Sequence, residues 1–448
     1  MATAAKKEKP RKAAQGANRK KIPVSERLRH PHIMTEMLRI SLGQSAGAQR
    51  DFLKVLEGLA CGIREMLDAE GWIYSVPIDH AKTWKDFAGK PICFVDGGVA
   101  SAQGLGAEPI GVRVGSYTVI PGDTSEKRET FRMEKQLVAE LFDSSSPDGV
   151  YEDLYEDTSK LRDAVRISLE LAAGVSSLKQ EPKPQFLFLH GALINPVSAY
   201  GDESFPAFSK KGLELLLPDD HKGREGRDAK FVTVCLELLN QLKHTKANIA
   251  SVVERASGSQ LVSMTLLDEL QRTDSSPGPQ AIKETKNKIR DFRISDSVLF
   301  HAILGEGEYL KPTEVDRNVD SKRPNYSRHI IAKYPYPKVT YVGVGEFSQP
   351  IRVEFFDGPE PPAGYAECIR LLIHSSRLMP NYAFPAGLDI VDKFAKVPAW
   401  MNRPIHSSMS VQLIQQALET GNTRTIDAAK RMVCGTRRDW LFRPTHNG

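Results

Sequence analysis

An α/β fold with a mixed sheet at its centre is what this 448-residue sequence predicts, on three observations. Residues 91–96 and 186–190 are short apolar runs, each closing on a polar residue, Asp96 and His190, that is followed at once by glycine. Between them, residues 158–175 place Leu161, Ala164, Val165, Ser168, Leu169 and Ala172 at helical spacing. The last third is helical over 364–378, 387–396 and 408–433. Short buried strands alternating with amphipathic helices are the pattern of a sheet covered on its faces.

Taken in order, residues 25–69 read as a helical stretch, with apolar side chains three and four residues apart through Phe52, Leu53, Val55 and Leu56. The run Pro91-Ile92-Cys93-Phe94-Val95-Asp96 reads as a buried strand that ends at the carboxylate. A glycine-rich loop follows, and residues 109–120 alternate as a second strand. Gly104-Leu105-Gly106 leads into that strand and not into a helix, so a dinucleotide-binding fingerprint does not fit. Residues 143–157 are acidic and turn-rich, and the helix over 158–175 carries Glu170 beside its apolar side. Segments 200–229, 272–288 and 311–327 read as surface insertions, being polar and rich in Gly, Pro or charge. Residues 231–242 form a strand or a helix, 248–253 a strand, 296–304 a helix, and 339–344 with 351–356 a pair of strands.

Composition narrows the function classes. With 40% hydrophobic and 26% charged residues the chain has the make-up of a soluble globular protein. No apolar run reaches about 18 residues, which argues against a membrane span. The first residues lack the apolar centre of a secretory signal, so the expected location is the cytoplasm. Cys61, Cys93, Cys235, Cys368 and Cys434 form no close pairs, excluding a zinc ribbon by spacing and giving no sign of a disulfide framework. The net charge of +5 is uneven: residues 1–30 carry ten Lys or Arg against Glu8 and Glu26, leaving the remainder mildly acidic. Such a tail is either a solubilising arm or a phosphate-binding one, with Lys20 and Lys21 among its candidates for DNA contact.

A carboxylate at the end of an apolar strand is costly unless a cation or hydrogen-bond donors satisfy it. Asp96 and His190 are therefore candidate metal ligands, and Glu170 and Asp392 join them as metal-binding and catalytic candidates through the resemblance given below. The alternatives stay open for each. Glu170 suits a solvated helix face, and His190 a hydrogen-bonded core position. Asp392 suits a surface pair with Lys393 or Lys396, with Asp389 turned inward instead. Asp296 reads as a cap of the helix that follows it. Arg352 and Glu354 share one side of a strand, where they either pair with each other or contact DNA.

This order of strand, strand, helix and strand, with a late acidic helix, resembles the ribonuclease H-like arrangement. More closely, the chain resembles the NurA family of DNA-end-processing nucleases. The likeness rests on Phe94-Val95-Asp96-Gly97-Gly98, on Arg166-Ile167-Ser168-Leu169-Glu170 and on Phe188-Leu189-His190-Gly191-Ala192-Leu193. It continues through Ser295-Asp296-Ser297-Val298-Leu299, Ile351-Arg352-Val353-Glu354 and the run from Phe384-Pro385 to Asp392.

The resemblance implies a ribonuclease H-like (PIWI-like) mixed-sheet core over residues 91–400. A basic tail over 1–24, a helical region over 25–90 and a helical extension over 401–448 complete the expected organisation. It further implies a homodimer acting on DNA with a HerA-like hexameric ATPase, in repair or antiphage defence, and a pair of Mn2+ or Mg2+ ions. The chain itself has no Walker A pattern to drive translocation. Asp96 would bridge both ions, Glu170 would hold one, and Asp392 would complete the cluster. His190 departs from the family, which has Asp there, and the result is either a variant nitrogen-ligand site or a degraded one that binds DNA as a scaffold. Arg255 stands beside the position where the family tends to carry a lysine.

Overall fold

In the computed structural model of the chain, the described residues are 31–101, 110–139, 141–142, 158–193, 205–254, 260–273, 277–315, 335–356, 363–379, 382–397 and 399–435. Lys20, Lys21, the rest of the basic tail, the glycine-rich loop at 104–106, the acidic stretch at 143–157 and Arg255 lie outside them. The chain divides into two units, Met1–Glu57 and Gly58–Gly448. The described part of the first is helical, within α1 (Pro31–Ala69). The second holds the sheet and the remaining helices.

Ten strands form one sheet: β1 (Ile73–Ser75), β2 (Ile92–Ser101), β3 (Ile110–Val119), β4 (Glu129–Ala139), β5 (Phe186–His190), β6 (Asn248–Val253), β7 (Glu308–Leu310), β8 (Thr313–Glu314), β9 (Lys338–Val342) and β10 (Ile351–Phe355). Their order is β1-β7-β9-β10-β6-β5-β2-β3-β4, with β8 on β9. Strands β2, β3 and β4 are antiparallel neighbours, while β5 pairs parallel to β2 and β6 parallel to β5. This block of three antiparallel strands followed by two parallel ones makes the sheet mixed, as the sequence predicts. Strands β10, β9, β7 and β1 extend it by antiparallel pairing.

Strand alternation gives the sheet two apolar faces. Cys93, Val95, Leu187, Leu189 and Ile249 point to one, covered by α3 (Thr158–Ser177), α4 (Lys210–Leu216) and α5 (Phe231–Lys243). Ile92, Phe94, Phe186, Phe188 and Val252 point to the other, covered by α9 (Ala363–Ser376) and α10 (Ala386–Ala395). The residues of 231–242 are thus a helix. Eight of its side chains are buried, a burden that one short strand does not carry.

Helix α2 (His80–Asp86) is locked to α9 by a directional hydrogen-bond chain. Arg377 Nε donates to His80 Nε2 at 3.2 Å, so that nitrogen carries no proton. His80 Nδ1 must then donate to His374 Nδ1 at 3.0 Å, which leaves His374 Nε2 to donate to Thr83 Oγ1 at 3.0 Å. One arginine therefore sets the tautomer of two histidines. Arg64 fixes the C-terminal part of α1 by a bidentate pair with Glu308 at 2.6 and 2.9 Å.

Several sequence expectations are corrected. Strand β2 does not end at Asp96 but runs on through both glycines to Ser101, because β3 pairs with it over its whole length. The expected loop at 272–288 contains much of α7 (Pro279–Asp291), whose buried Ile282 and Ile289 stand two turns apart among charged residues. Helix 408–433 is two helices, α11 (Ala399–Glu419) and α12 (Thr423–Gly435), separated where Gly421 takes a φ of +62°.

Asp296 is the first residue of α8 (Asp296–Ile303), whose cap is Ser295. Its own carboxylate accepts from the Val262 and Ser263 amides, so it caps α6 (Leu261–Leu270) and not the helix that follows it. Arg352, a candidate DNA contact, is 6% exposed and pairs with the fully buried Glu354 at 2.6 Å. A guanidinium enclosed in this way has no surface to offer a phosphate, and the pair is structural.

Candidate metal centre

Asp96 and His190 stand on adjacent, parallel strands and project to the same face, as the alternation from Phe94 and Phe188 requires. His190 Nδ1 lies 2.9 Å from Asp96 Oδ2. Asp96 Oδ1 accepts from the Gly97 amide at 2.7 Å, so both of its oxygens are engaged and the carboxylate is 3% exposed. Helix α10 lies over this face, packing Leu388 and Val391 inward. One turn on from Leu388 it brings Asp392 to the pair. Asp96, His190 and Asp392 each offer one ligand atom, all within 4.8 Å of one another. Asp389 instead binds Lys393 at 2.5 Å, which decides between the two aspartates.

Close approach of α10 depends on glycine. A Cβ on Gly98 would lie 2.6 Å from the Ala395 carbonyl oxygen, and one on Gly387 would lie 2.3 Å from the Phe94 ring. Side chains at either position would hold the helix, and Asp392 with it, away from β2.

Glu170 arrives from the opposite face. It is 5% exposed on α3, and its carboxylate is directed over Gly97, where a side chain would occupy its place. Arg166, one turn earlier, donates to Glu170 Oε1 at 3.1 Å. Glu170 therefore stands beside the three-residue group, its carboxylate reaching past Gly97 and towards Gly191 at the end of β5. The spacing of Arg166 and Glu170 was visible as Arg-x-x-x-Glu, and i,i+4 geometry is what makes the contact.

The protonation of the site expresses burial first and mutual repulsion second. Burial pushes Glu170 up to about 8, with repulsion from Asp96 adding to it and Arg166 opposing. Burial and the Asp96 charge also raise Asp392. Burial alone would lower His190, yet its hydrogen bond with Asp96 and the neighbouring carboxylates raise it. Buried, converging carboxylates are what a cation would relieve. Two carboxylate oxygens and an imidazole nitrogen suit a borderline divalent cation such as Mn2+, and the residues fit such an ion. Among the described residues no other group of three such side chains comes together in this way.

No family's sequence profile matches the chain, and no curated protein matches it. In structure the chain is similar to the NurA nuclease from Sulfolobus solfataricus, with a TM-score of 0.48 at 14% identity, covering 88% of this chain and 99% of that one. A crystal structure of NurA with manganese aligns with a TM-score of 0.41 at 11% identity, over 83% and 97% of the two chains. NurA bound to dAMP and manganese aligns with a TM-score of 0.36 at 11% identity, over 84% and 94%. These likenesses to NurA structures run over most of the chain, at low sequence identity.

Proposed function

We propose that the chain is a divalent-metal-dependent DNA nuclease of the NurA type. One observation carries the reading: Asp96, His190 and Asp392, distant in sequence, converge within 4.8 Å, with Glu170 buried beside them. The order of sequence motifs shared with the NurA family supports it. Asp96, His190 and Asp392 would hold one cation, and Asp96 with Glu170 a second, Mn2+ or Mg2+. Bound divalent cations supply positive charge at a phosphodiester and at the water that attacks it.

The chain's own residues organise that chemistry. The Gly97 amide fixes Asp96, Asp96 fixes the ring plane of His190, and Arg166 holds Glu170 in place until a cation competes for it. Lys396, whose charge acts on Asp392, would offer a DNA phosphate a cation beside the site. A homodimer working with a HerA-like hexameric ATPase, in repair or antiphage defence, is the setting that the motif resemblance suggests.

The test is degradation of linear DNA by the full-length protein with Mn2+. The expected result is cutting by the wild type and none by Asp96→Ala, with unchanged circular dichroism. A wild type that binds DNA but leaves it intact overturns the nuclease reading. The identity of His190 favours one second reading, a DNA-binding scaffold that has lost catalysis. Restoration of cutting by His190→Asp in an otherwise inactive chain would establish it.

A further inference from the structure

Beside the metal centre, an aromatic row leads from His190 to the surface. The His190 and Phe384 rings are 5.3 Å apart, and the Phe384 and Tyr382 rings 5.8 Å. Phe384 is buried, whereas Tyr382 is 46% exposed. An exposed tyrosine usually samples several rotamers, but this one is held. Its hydroxyl donates to Glu254 Oε1 at 2.6 Å, at the end of β6, and its ring rests against Phe384. The backbone is fixed too: the Tyr382 and Ala383 amides donate to the Met379 carbonyl at 3.0 and 2.7 Å. Ala383 is buried with a φ of +49°, a left-handed conformation that a non-glycine residue adopts only when its surroundings enforce it.

We propose that Tyr382 is a stacking platform for an unpaired base of single-stranded DNA next to the phosphate that is cut. The inference rests on the nuclease reading and adds the form of the substrate. A rigid aromatic ring, half open to solvent and two ring contacts from a metal ligand, is the element that single-strand-binding proteins use to hold bases without regard to sequence. Glu254 at the hydroxyl repels a phosphate there, so the surface suits a base and not the backbone. Bases inside a duplex already stack on their neighbours, so a stacking partner at this point selects a single strand or a frayed end.

The experiment uses full-length Asp96→Asn protein with Mn2+ and a short oligonucleotide containing 2-aminopurine, as a single strand and as a duplex. Its readouts are affinity by anisotropy and quenching of 2-aminopurine fluorescence on stacking. Adding Tyr382→Ala is expected to lower single-strand affinity by roughly five- to a hundredfold and to abolish the quench, with little change for internal duplex sites. Tyr382→Phe and Tyr382→Trp keep a ring and are expected to keep the quench. Single-strand affinity and quenching unchanged in Tyr382→Ala overturn the platform while leaving the nuclease reading intact. A wild-type protein that, with EDTA to prevent cutting, binds neither form of DNA overturns both.

Discussion

Gly97 and Glu170 meet on the α3 face of the sheet: a methyl group on the glycine would lie 3.0 Å from Glu170 Cγ and 3.1 Å from its Oε1. The absent side chain is what lets a carboxylate from one face stand beside ligands on the other. Gly97→Ala is expected to displace Glu170 and to lower stability by about 1–3 kcal/mol, the usual cost of overpacking. Gly98→Ala meets backbone and not side chain, so it should also weaken metal binding by moving α10. Urea unfolding and calorimetric Mn2+ titration of both variants check this, and equal metal affinity in Gly98→Ala and wild type would refute it.

Metal binding itself should appear as stability. A cation that binds only the folded chain adds about 2.7 kcal/mol at a hundredfold excess over its Kd. Thermal unfolding with increasing Mn2+ is expected to show a rising Tm for the wild type and a flat response for Asp96→Ala. A parallel rise in the variant would place the ion elsewhere.

The buried Arg352–Glu354 pair makes an asymmetric prediction. Removing one partner, as in Glu354→Leu, strands a guanidinium in the interior and is expected to cost about 3–5 kcal/mol. Replacing both by apolar residues of similar volume should cost much less. Chemical denaturation of the two single variants and the double variant decides the point, and additive losses would count against it.

Acid sensitivity should trace in part to His374. Burial, with the neighbouring His80 adding, lowers its pKa below the ordinary 6.5. The unfolded chain therefore binds this proton at a higher pH than the folded one, so the contribution is complete above pH 6.5 and is lost as pH falls from there through the lower folded value. Protonation would also set two N–H groups against each other on the His80–His374 axis. His374→Gln is expected to be less stable at pH 8 yet to lose less between pH 7 and 5. Identical pH slopes in Tm would remove His374 from the account.

Much of this architecture is legible because the runs that seed β2 and β5 are apolar and are followed by glycine. The order of β2, β3, α3, β5 and β6 follows from pattern alone, and so does the suspicion that Asp96 and His190 meet. What pattern could not supply was pairing. Asp-Gly-Gly reads as a turn until β3 is seen beside it, which hides the true end of β2. Helix α7 was hidden because two isoleucines among lysines and glutamates leave too thin an apolar stripe. The choice of Asp392 over Asp389 needed the helix rotation that packing of Leu388 and Val391 provides. Asp296 showed the limit of local grammar, since its carboxylate serves a helix more than thirty residues earlier in the chain.

Because Asp96 and His190 are carried on paired strands and not on loops, their backbone positions are dictated by the sheet, whatever side chains they bear. Histidine and aspartate codons differ by a single base. A lineage built on this scaffold can therefore exchange a nitrogen donor for an oxygen donor at position 190 without having to relearn how to fold.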